Sequence, residues 1–498
     1  MIEWSLMGST LLEMLYWPGI AYLLSGSIIG MIFGAIPGLS GTTAIVVLIP
    51  LTFGMPPATA MLWLASAYGA ATYGGAIPAI LINTPGEPPN AATVIDGYPM
   101  AKKGKAGVAL GAAATASTLG GFIGLFIALA MIPVINKFLM AFSYQEFFMM
   151  ALLGLCIIAV VSEGTLLKGL AAGGLGVMLS FVGFDPINSV LRFTFGIQYL
   201  WDGIPVVPAL FGLLAIGEAI DLLGRGHAIA AENTPPPSRR QVLTGIRETF
   251  ANWFLVIRSS ALGTFIGAVP GVGGTVAGFL AYLQAKNTCR NNETFGQGDV
   301  RGVIASEAAN DAKEGGALLP TLAFGIPGSS AMAVLLGALT LHGLDVGQNI
   351  FSMHLDIVYM LIMAGLGCHI VAAIIGLSLA DKVAVLTRIR PALVAPVIFI
   401  VCIVGAYALN NKIGDVFVCI VFGLLGYEMR KFRYPRIALI LGLLLGNMAE
   451  INLRQALMMG SAWKFVTRPI SLAMFILILL LLFMPMIKYF TNKKRNSG

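Results

Sequence analysis

The string AIPGLSGTTA at residues 35–44 sets a Pro-Gly pair, Pro37 and Gly38, beside the hydroxyls of Ser40, Thr42 and Thr43, with Gly41 between them. A helix that restarts after such a break presents free N–H groups and the positive end of its dipole, which together with nearby hydroxyls favour a carboxylate or phosphate. Carbonyls stranded on the other side of the break suit a hard cation such as Na+. The string lies inside Met14–Gly86, 73 residues without an Asp, Glu, Lys or Arg. In so apolar a setting an unpaired backbone group costs several kcal/mol, and the break has to be filled by protein, water or a ligand.

The same chemistry returns further on. GAIPGLSGTTA at 34–44 recurs as GAVPGVGGTVA at 267–277, so Pro37, Gly38, Gly41 and Thr42 correspond to Pro270, Gly271, Gly274 and Thr275, displaced by 233 positions. GGAIPAILINTPGEPPNA from Gly74 then pairs with GGALLPTLAFGIPGSSAM from Gly315, each with a proline seven residues ahead of a Pro-Gly, Pro78 before Pro85 and Pro320 before Pro327. One Pro-Gly kink is ordinary in a membrane helix. Two matched pairs in the same order argue for duplication, and duplicated broken segments are the pattern of secondary transporters, whose ligands bind where discontinuous helices meet near the midplane. The expected substrate-binding groups are Ser40, Gly41, Thr42, Thr43, Asn83, Thr84, Gly274, Thr275, Ser329 and Ser330. Those expected to serve a coupling cation are Pro37, Gly38, Pro270, Gly271 and Asn310.

Ionisable side chains are scarce near the breaks. Glu87 in TPGEPPN has Ser329 at the matching place in the second copy; it reads either as a proton or cation site or as a loop carboxylate near the interface. Glu307, Asp311 and Glu314 in SEAANDAKEGG fall on one helical face beside Lys313, which reads as a solvated, salt-bridged helix end. Glu218 and Asp221 read as interfacial. The five cysteines form no CxxC pair and the four histidines have no metal-ligand spacing, so neither a disulfide framework, a metal centre nor a cofactor is expected. An enzyme acting on a lipid-linked phosphate would also use anion-binding helix ends, but it needs a base or nucleophile at membrane depth, and no His, Cys or acidic pair recurs beside the motifs. A channel would not need duplicated breaks.

The elements that hold these residues must be membrane helices. Mean hydropathy is +0.87 and 11% of residues are charged, against about 25% in a soluble domain. The charge-free runs 14–86, 106–136, 259–285, 315–344 and 469–487 reach membrane-spanning length without the period-two alternation of a barrel. Apolar segments near 19–54, 57–86, 106–133, 147–162, 166–184, 204–223, 259–285, 315–341, 356–380, 392–409, 414–427, 436–459 and 469–487 predict an all-α polytopic membrane protein of roughly 12 transmembrane segments, in two inverted repeats with re-entrant or broken helices. The expected divisions are a first repeat over 1–224, a cytoplasmic linker over 225–258, a second repeat over 259–468, and an extra segment with a basic tail over 469–498. In the linker, Val242, Ile246, Phe250 and Phe254 stand at the spacing of an amphipathic helix, lying in the interface or packed on its own protein. The net charge of +7 sits in short patches flanking apolar segments, a positive-inside pattern and not a nucleic-acid footprint. It puts 102–105, 225–258, 382–390, 428–436 and 488–498, and with them the C-terminus, in the cytoplasm.

The strings PGLSGTTAIVVLIPLTFGMPP, INTPGEPPNAATVIDGYPMAKKGKAG, PGVGGTVAGFLAY and SEAANDAKEGGALLPTLAFGIPGSSAMAVLLGAL closely resemble the large membrane subunit of the tripartite tricarboxylate transporters, the TctA family, over roughly residues 20–450. The resemblance implies a bacterial inner-membrane carrier that works with a small membrane subunit and a periplasmic solute-binding protein, importing citrate or a related carboxylate on a sodium or proton gradient. The chain has no GxxxxGK[ST] phosphate loop. Orientation is testable by labelling: thiols introduced at Gly54 and Lys286 are expected to react from opposite faces of the membrane, and reaction of both from one face refutes inversion.

Overall fold

Glycines and prolines divide the apolar stretches into helices and breaks. The computed structural model describes residues 3–161, 166–185, 188, 190–224, 238–270, 273–378, 393–460 and 463–481, with the backbone alone for 157–161. The first half runs α1 (Trp4–Leu15), α2 (Gly19–Ala35), α3 (Gly41–Leu48), α4 (Pro57–Leu81), α5 (Ala91–Lys102), α6 (Ala106–Leu139), α7 (Tyr144–Val161) and α8 (Leu166–Ser180). It continues through α9 (Val206–Leu210), a π-helical turn (Phe211–Ile216) and α10 (Gly217–Gly224). The second half runs α11 (Arg239–Ala251), α12 (Trp253–Gly267), α13 (Gly273–Thr288), α14 (Val300–Phe324), α15 (Ser330–Leu341), α16 (Gln348–Met353) and α17 (Leu355–Ser378). The helices Ala395–Asn410, Ile413–Lys431, Arg436–Met458 and Pro469–Leu481 follow. Strand structure among the described residues is one two-residue antiparallel ladder, Gly183–Phe184 with Leu191–Arg192.

Both halves are assembled by the same glycine contacts. Gly26, Gly30 and Gly34, four residues apart on α2, lie against the carbonyls of Trp63, Ala67 and Ala71 on α4. On α12, Gly263 and Gly267 lie against the carbonyls of Ala309 and Lys313 on α14. Gly74 meets the Met31 carbonyl and Gly316 that of Thr264, while Gly86 meets the Gly34 carbonyl and Gly328 that of Gly267. Every contact in the second half is the first-half contact displaced by 233 positions on one helix and 242 on the other. Small residues at this spacing let backbones approach closely, which is how membrane helices gain packing energy without a hydrophobic drive between them.

The halves then embrace crosswise. α6 packs on α14 while α17 packs on α4, and α3 meets α15 while α5 meets α13. Around this centre α7 and α8 pack on Arg436–Met458, and the π-helical turn packs on Ile413–Lys431 and, with Ala395–Asn410, on α3. α11 presses Gly245 and Thr249 toward α6 and leaves Leu243 and Phe250 exposed.

Four helices are by themselves long and apolar enough to cross a membrane, Ala106–Leu139, Val206–Leu223, Leu355–Ser378 and Arg436–Met458, and a fifth if α1 and α2, bent by 69°, form one span. The expected dozen differs because broken segments contribute pairs of short helices, such as Gly41–Thr52 and Ser330–Leu341, and because α14 begins at Val300 and carries its charged residues inside the helix. The expected segment 315–341 is thus two helices, divided at Gly325, whose φ of 67° ends α14. Gly271, the Pro-rich part of the linker (225–237), and the basic stretches 382–390 and 488–498 lie outside the described residues.

The packing separates two kinds of glycine. Gly267→Ala drives a methyl into the Lys313 carbonyl and is expected to destabilise by about 1–3 kcal/mol. Gly174→Ala on α8, with open space around its Cα, is expected to be neutral or to stabilise by about 0.5–1 kcal/mol. Thermal unfolding in detergent compares them.

Candidate functional site

α14 starts at a fixed point. Asp299 caps it, accepting from the Arg301 N–H at 2.9 Å and pairing with its guanidinium at 2.6 Å. Burial opposes ionisation of Asp299, but the hydrogen bonds from Arg301 and Thr294 outweigh it and hold the carboxyl below the usual carboxylate range. The loop before it is pinned by buried Asp96 of α5, which accepts from the N–H groups of Gly296, Gly298 and Asp299 at 2.7–2.9 Å and from Tyr282 at 2.9 Å.

From there the helix runs through the interior with Glu307, Asn310, Asp311, Lys313 and Glu314 all buried. This corrects the expectation of a solvated helix end. The neighbouring Ala308, Ala309, Ala312, Gly315 and Gly316 let α6 and α12 close over it. Glu307, Lys313 and Glu314 receive hydrogen-bond partners from other elements, whereas neither Asp311 carboxylate oxygen has one among the described residues. Glu307 accepts from Thr93, from Asn90 at 3.2 Å and from Ser117 at 3.1 Å. Glu314 accepts from Thr72 at 2.7 Å and lies 3.6 Å from Lys313. Lys313 donates to Tyr68 at 3.1 Å. His369 of α17 faces Asp311 at 3.5 Å and Glu314 at 3.9 Å.

The helix breaks converge on this cluster. Ser40 caps α3, accepting from the Thr43 N–H at 3.3 Å, and Ser329 caps α15 through the Met332 N–H at 3.3 Å. Thr42 and Ser330 bond each other at 3.2 Å, so the amino ends of α3 and α15 meet. Gly41 donates its N–H to Glu87, which is buried in the turn between α4 and α5. Gly274, at the amino end of α13, packs against the Lys313 side chain and lies beside the Asn310 amide oxygen, and the Asn310 amide has no hydrogen-bond partner. Thr275 is half-buried on the next position. A cavity of about 30 Å³, enough for a water or two, lies beside Tyr68 and Glu314 under Ile45, Leu125 and Met332.

Other expected positions sit at the edges. Pro37 is buried, and Gly38 has a φ of 92° that only glycine takes readily. Asn83 is exposed at a left-handed turn (φ 57°), and the Thr84 hydroxyl donates locally, to the Ile82 carbonyl. Pro270 is half-buried. Glu218 pairs with Arg430 and with Arg436 at 3.3 Å. Lys313, Glu307, Asp311, Glu314, Thr72 and His369 were not among the expected site residues. Their signal is the interleaving of charge with Ala and Gly in SEAANDAKEGG, since small residues on the flanks let neighbouring helices close over the charges.

A mainly helical membrane protein, duplicated about glycine-packed broken helices with an ionic cluster where the breaks meet, is the class that the fold and site define. Residues 20–441 match the tripartite tricarboxylate transporter TctA family, and the chain belongs to that family. It is therefore a membrane component of a tricarboxylate transporter. An uncharacterised 52.8 kDa protein of the TAR-I ttuC' 3' region of Agrobacterium vitis is 32% identical over 464 residues, 91% of this chain and 90% of that protein. A second uncharacterised protein from Agrobacterium vitis, of the TAR-II ttuC' 3' region, is 32% identical over 211 residues, 42% of this chain and 87% of its own length. No solved structure matches the chain.

Removing one member of a buried ion pair leaves the other uncompensated, at about 3–5 kcal/mol. Lys313→Met is expected to lower thermal stability by that order, and Glu314→Gln in the same chain to restore part of it. Additive losses in the double variant would show that the two do not act as a pair.

Proposed function

We propose that the chain is the large transmembrane subunit of a binding-protein-dependent secondary transporter, importing tricarboxylates or related carboxylates across the bacterial inner membrane by alternating access. Lys313 carries this reading: it is the one buried lysine or arginine among the described residues, set against the α13 amino end and, through Tyr68, close to those of α3 and α15. A carboxylate delivered there meets a positive charge, free N–H groups and the hydroxyls of Ser40, Thr42, Thr43, Thr275, Ser329 and Ser330. Four buried carboxylates, Glu87, Glu307, Asp311 and Glu314, outnumber the lysine, and such an excess favours cotransport of Na+ or H+. Asn310 and the carbonyls around Pro37–Gly38 and Pro270–Gly271 would serve the cation.

The crosswise packing of the halves supports inverted repeats, with one bundle moving against a scaffold built from α7, α8 and the last helices. A small membrane subunit and a periplasmic solute-binding protein complete the system, the latter choosing the carboxylate. An enzyme acting on a lipid-linked phosphate would instead require turnover without a gradient.

Counterflow of labelled citrate, succinate and tartrate into liposomes holding the chain and both partners, with and without sodium, tests the reading. Thr42→Val and Thr275→Val each remove a hydroxyl from the carboxylate, worth about 1.5–3 kcal/mol, and are expected to cut uptake about tenfold or more with expression intact. Normal transport by both would make these hydroxyls structural.

A further inference from the structure

Glu87 reaches the amino end of α3, whereas its counterpart Ser329 caps the helix that follows it, α15, and among the described residues makes no hydrogen bond to α13, the helix that matches α3. In the second copy Ser329 caps its own helix. In the first, Ser40 already caps α3 through Thr43, and Glu87, 46 residues away, adds a carboxylate oxygen on the Gly41 N–H. That oxygen stands where a substrate carboxylate would bind the same helix end.

The niche is shaped for it. A Cβ on Gly75 would strike the Glu87 N–H and the Asn90 amide, and one on Gly86 would strike the Gly34 carbonyl, so glycines alone let this turn lie close enough to α3 for Glu87 to reach it. The charged groups facing Glu87 come from α14: Lys313, Glu314 and Glu307. α3 offers backbone and hydroxyls, with Tyr68 of α4 against Gly41. The first turn of α13 has no ionisable side chain, and Asp96 on α5 is taken up by the 296–299 backbone. Among the described residues, Glu87 in its charged form therefore has one cation acting on it, the lysine that a substrate would also need. An arriving di- or trianion is repelled while Glu87 is charged, and a neutral carboxylic acid gives up its electrostatic hold on a helix amino end.

We propose that Glu87 is an internal stand-in for the substrate carboxylate: in the unloaded carrier it occupies the α3 amino end in the field of Lys313, and a proton taken onto it frees that helix end and removes the negative charge that repels the substrate. This rests on the transport reading above and assigns its coupling ion. The proton passes from the outer aqueous phase to a Glu87 carboxylate oxygen and leaves to the cytoplasmic side when the substrate departs and the anion returns to Gly41. Proton and carboxylate then enter together because each makes room for the other. The second copy, with Ser329, has no such group.

Glu87→Gln keeps an oxygen for the Gly41 N–H and fixes the neutral state. The test uses the full chain in liposomes with its small membrane subunit and binding protein, with whichever of tartrate, succinate and citrate the wild type exchanges. Affinity is measured from about pH 5.5 to about pH 8 as the ratio of variant to wild type, in which ionisation of the acid itself cancels. The ratio is expected to rise about tenfold or more in favour of E87Q at the alkaline end, because only the wild type loses its proton. E87Q is also expected not to accumulate the acid under an inward proton gradient. A ratio constant with pH, or accumulation by E87Q driven by the proton gradient, overturns the proposal, as does wild-type uptake that follows sodium alone. If E87Q does not fold, Glu87→Asp decides: its shorter carboxylate holds Gly41 less firmly, so it should bind more tightly than wild type at the alkaline end, and a profile identical to wild type overturns the proposal. A wild type that exchanges none of the acids sinks the transport reading itself and not the role of Glu87 within it.

Discussion

Glu307, Asp311, Lys313 and Glu314 lie on one helix that other helices enclose, and withdrawing such charges from water costs several kcal/mol per ion unless partners replace the hydration. For Glu307 and Glu314 the partners come from Thr72 of α4, Asn90 in the turn after it, Thr93 of α5 and Ser117 of α6, while Asp311 has His369 of α17 at 3.5 Å and no hydrogen-bond partner among the described residues. Short side chains such as Thr and Ser reach a carboxylate only if their backbones come very near. The glycine contacts of Gly120 and Gly124 with α14, and of Gly263 and Gly267 with the same helix, supply that closeness. Packing and electrostatics here are one constraint: a larger residue at the crossings would separate the charges from what stabilises them.

The duplicated frame carries an unduplicated charge set. By the displacement that relates Gly74 to Gly316 and Pro78 to Pro320, the α4 positions matching Glu307, Asp311, Lys313 and Glu314 are Ala65, Gly69, Ala71 and Thr72. Thr72 and Glu314 are thus matching positions, and they bond each other. One copy supplies charges and the other supplies space and hydroxyls. Glu87 is the reverse case, a carboxylate in the first copy facing the second copy's lysine. A near-symmetric frame with an asymmetric charge set is compatible with the alternating access proposed above, which asks for two similar arrangements around one site.

Composition alone determined that the chain is helical and membrane-embedded, because a run of 73 residues without charge has no other stable form at that length. Pattern alone located the breaks: the Pro-Gly pairs at 37–38, 85–86 and 327–328 fall between helices, since proline and glycine act on the backbone next to them, and the serines beyond two of the breaks cap α3 and α15 for the same local reason. The repeat was legible because identical glycine contacts require identical residues. Tertiary structure decided the rest. Whether Glu307, Asp311 and Glu314 meet water or protein depends on what covers α14, and those elements lie some 200 residues away along the chain in α5 and α6. Whether Glu87 is a surface carboxylate or the occupant of a helix end depends on how closely one glycine turn approaches another segment. Charge has the same letter in the sequence whether solvated or buried; its environment is a property of contacts between distant segments, and only the folded chain specifies them.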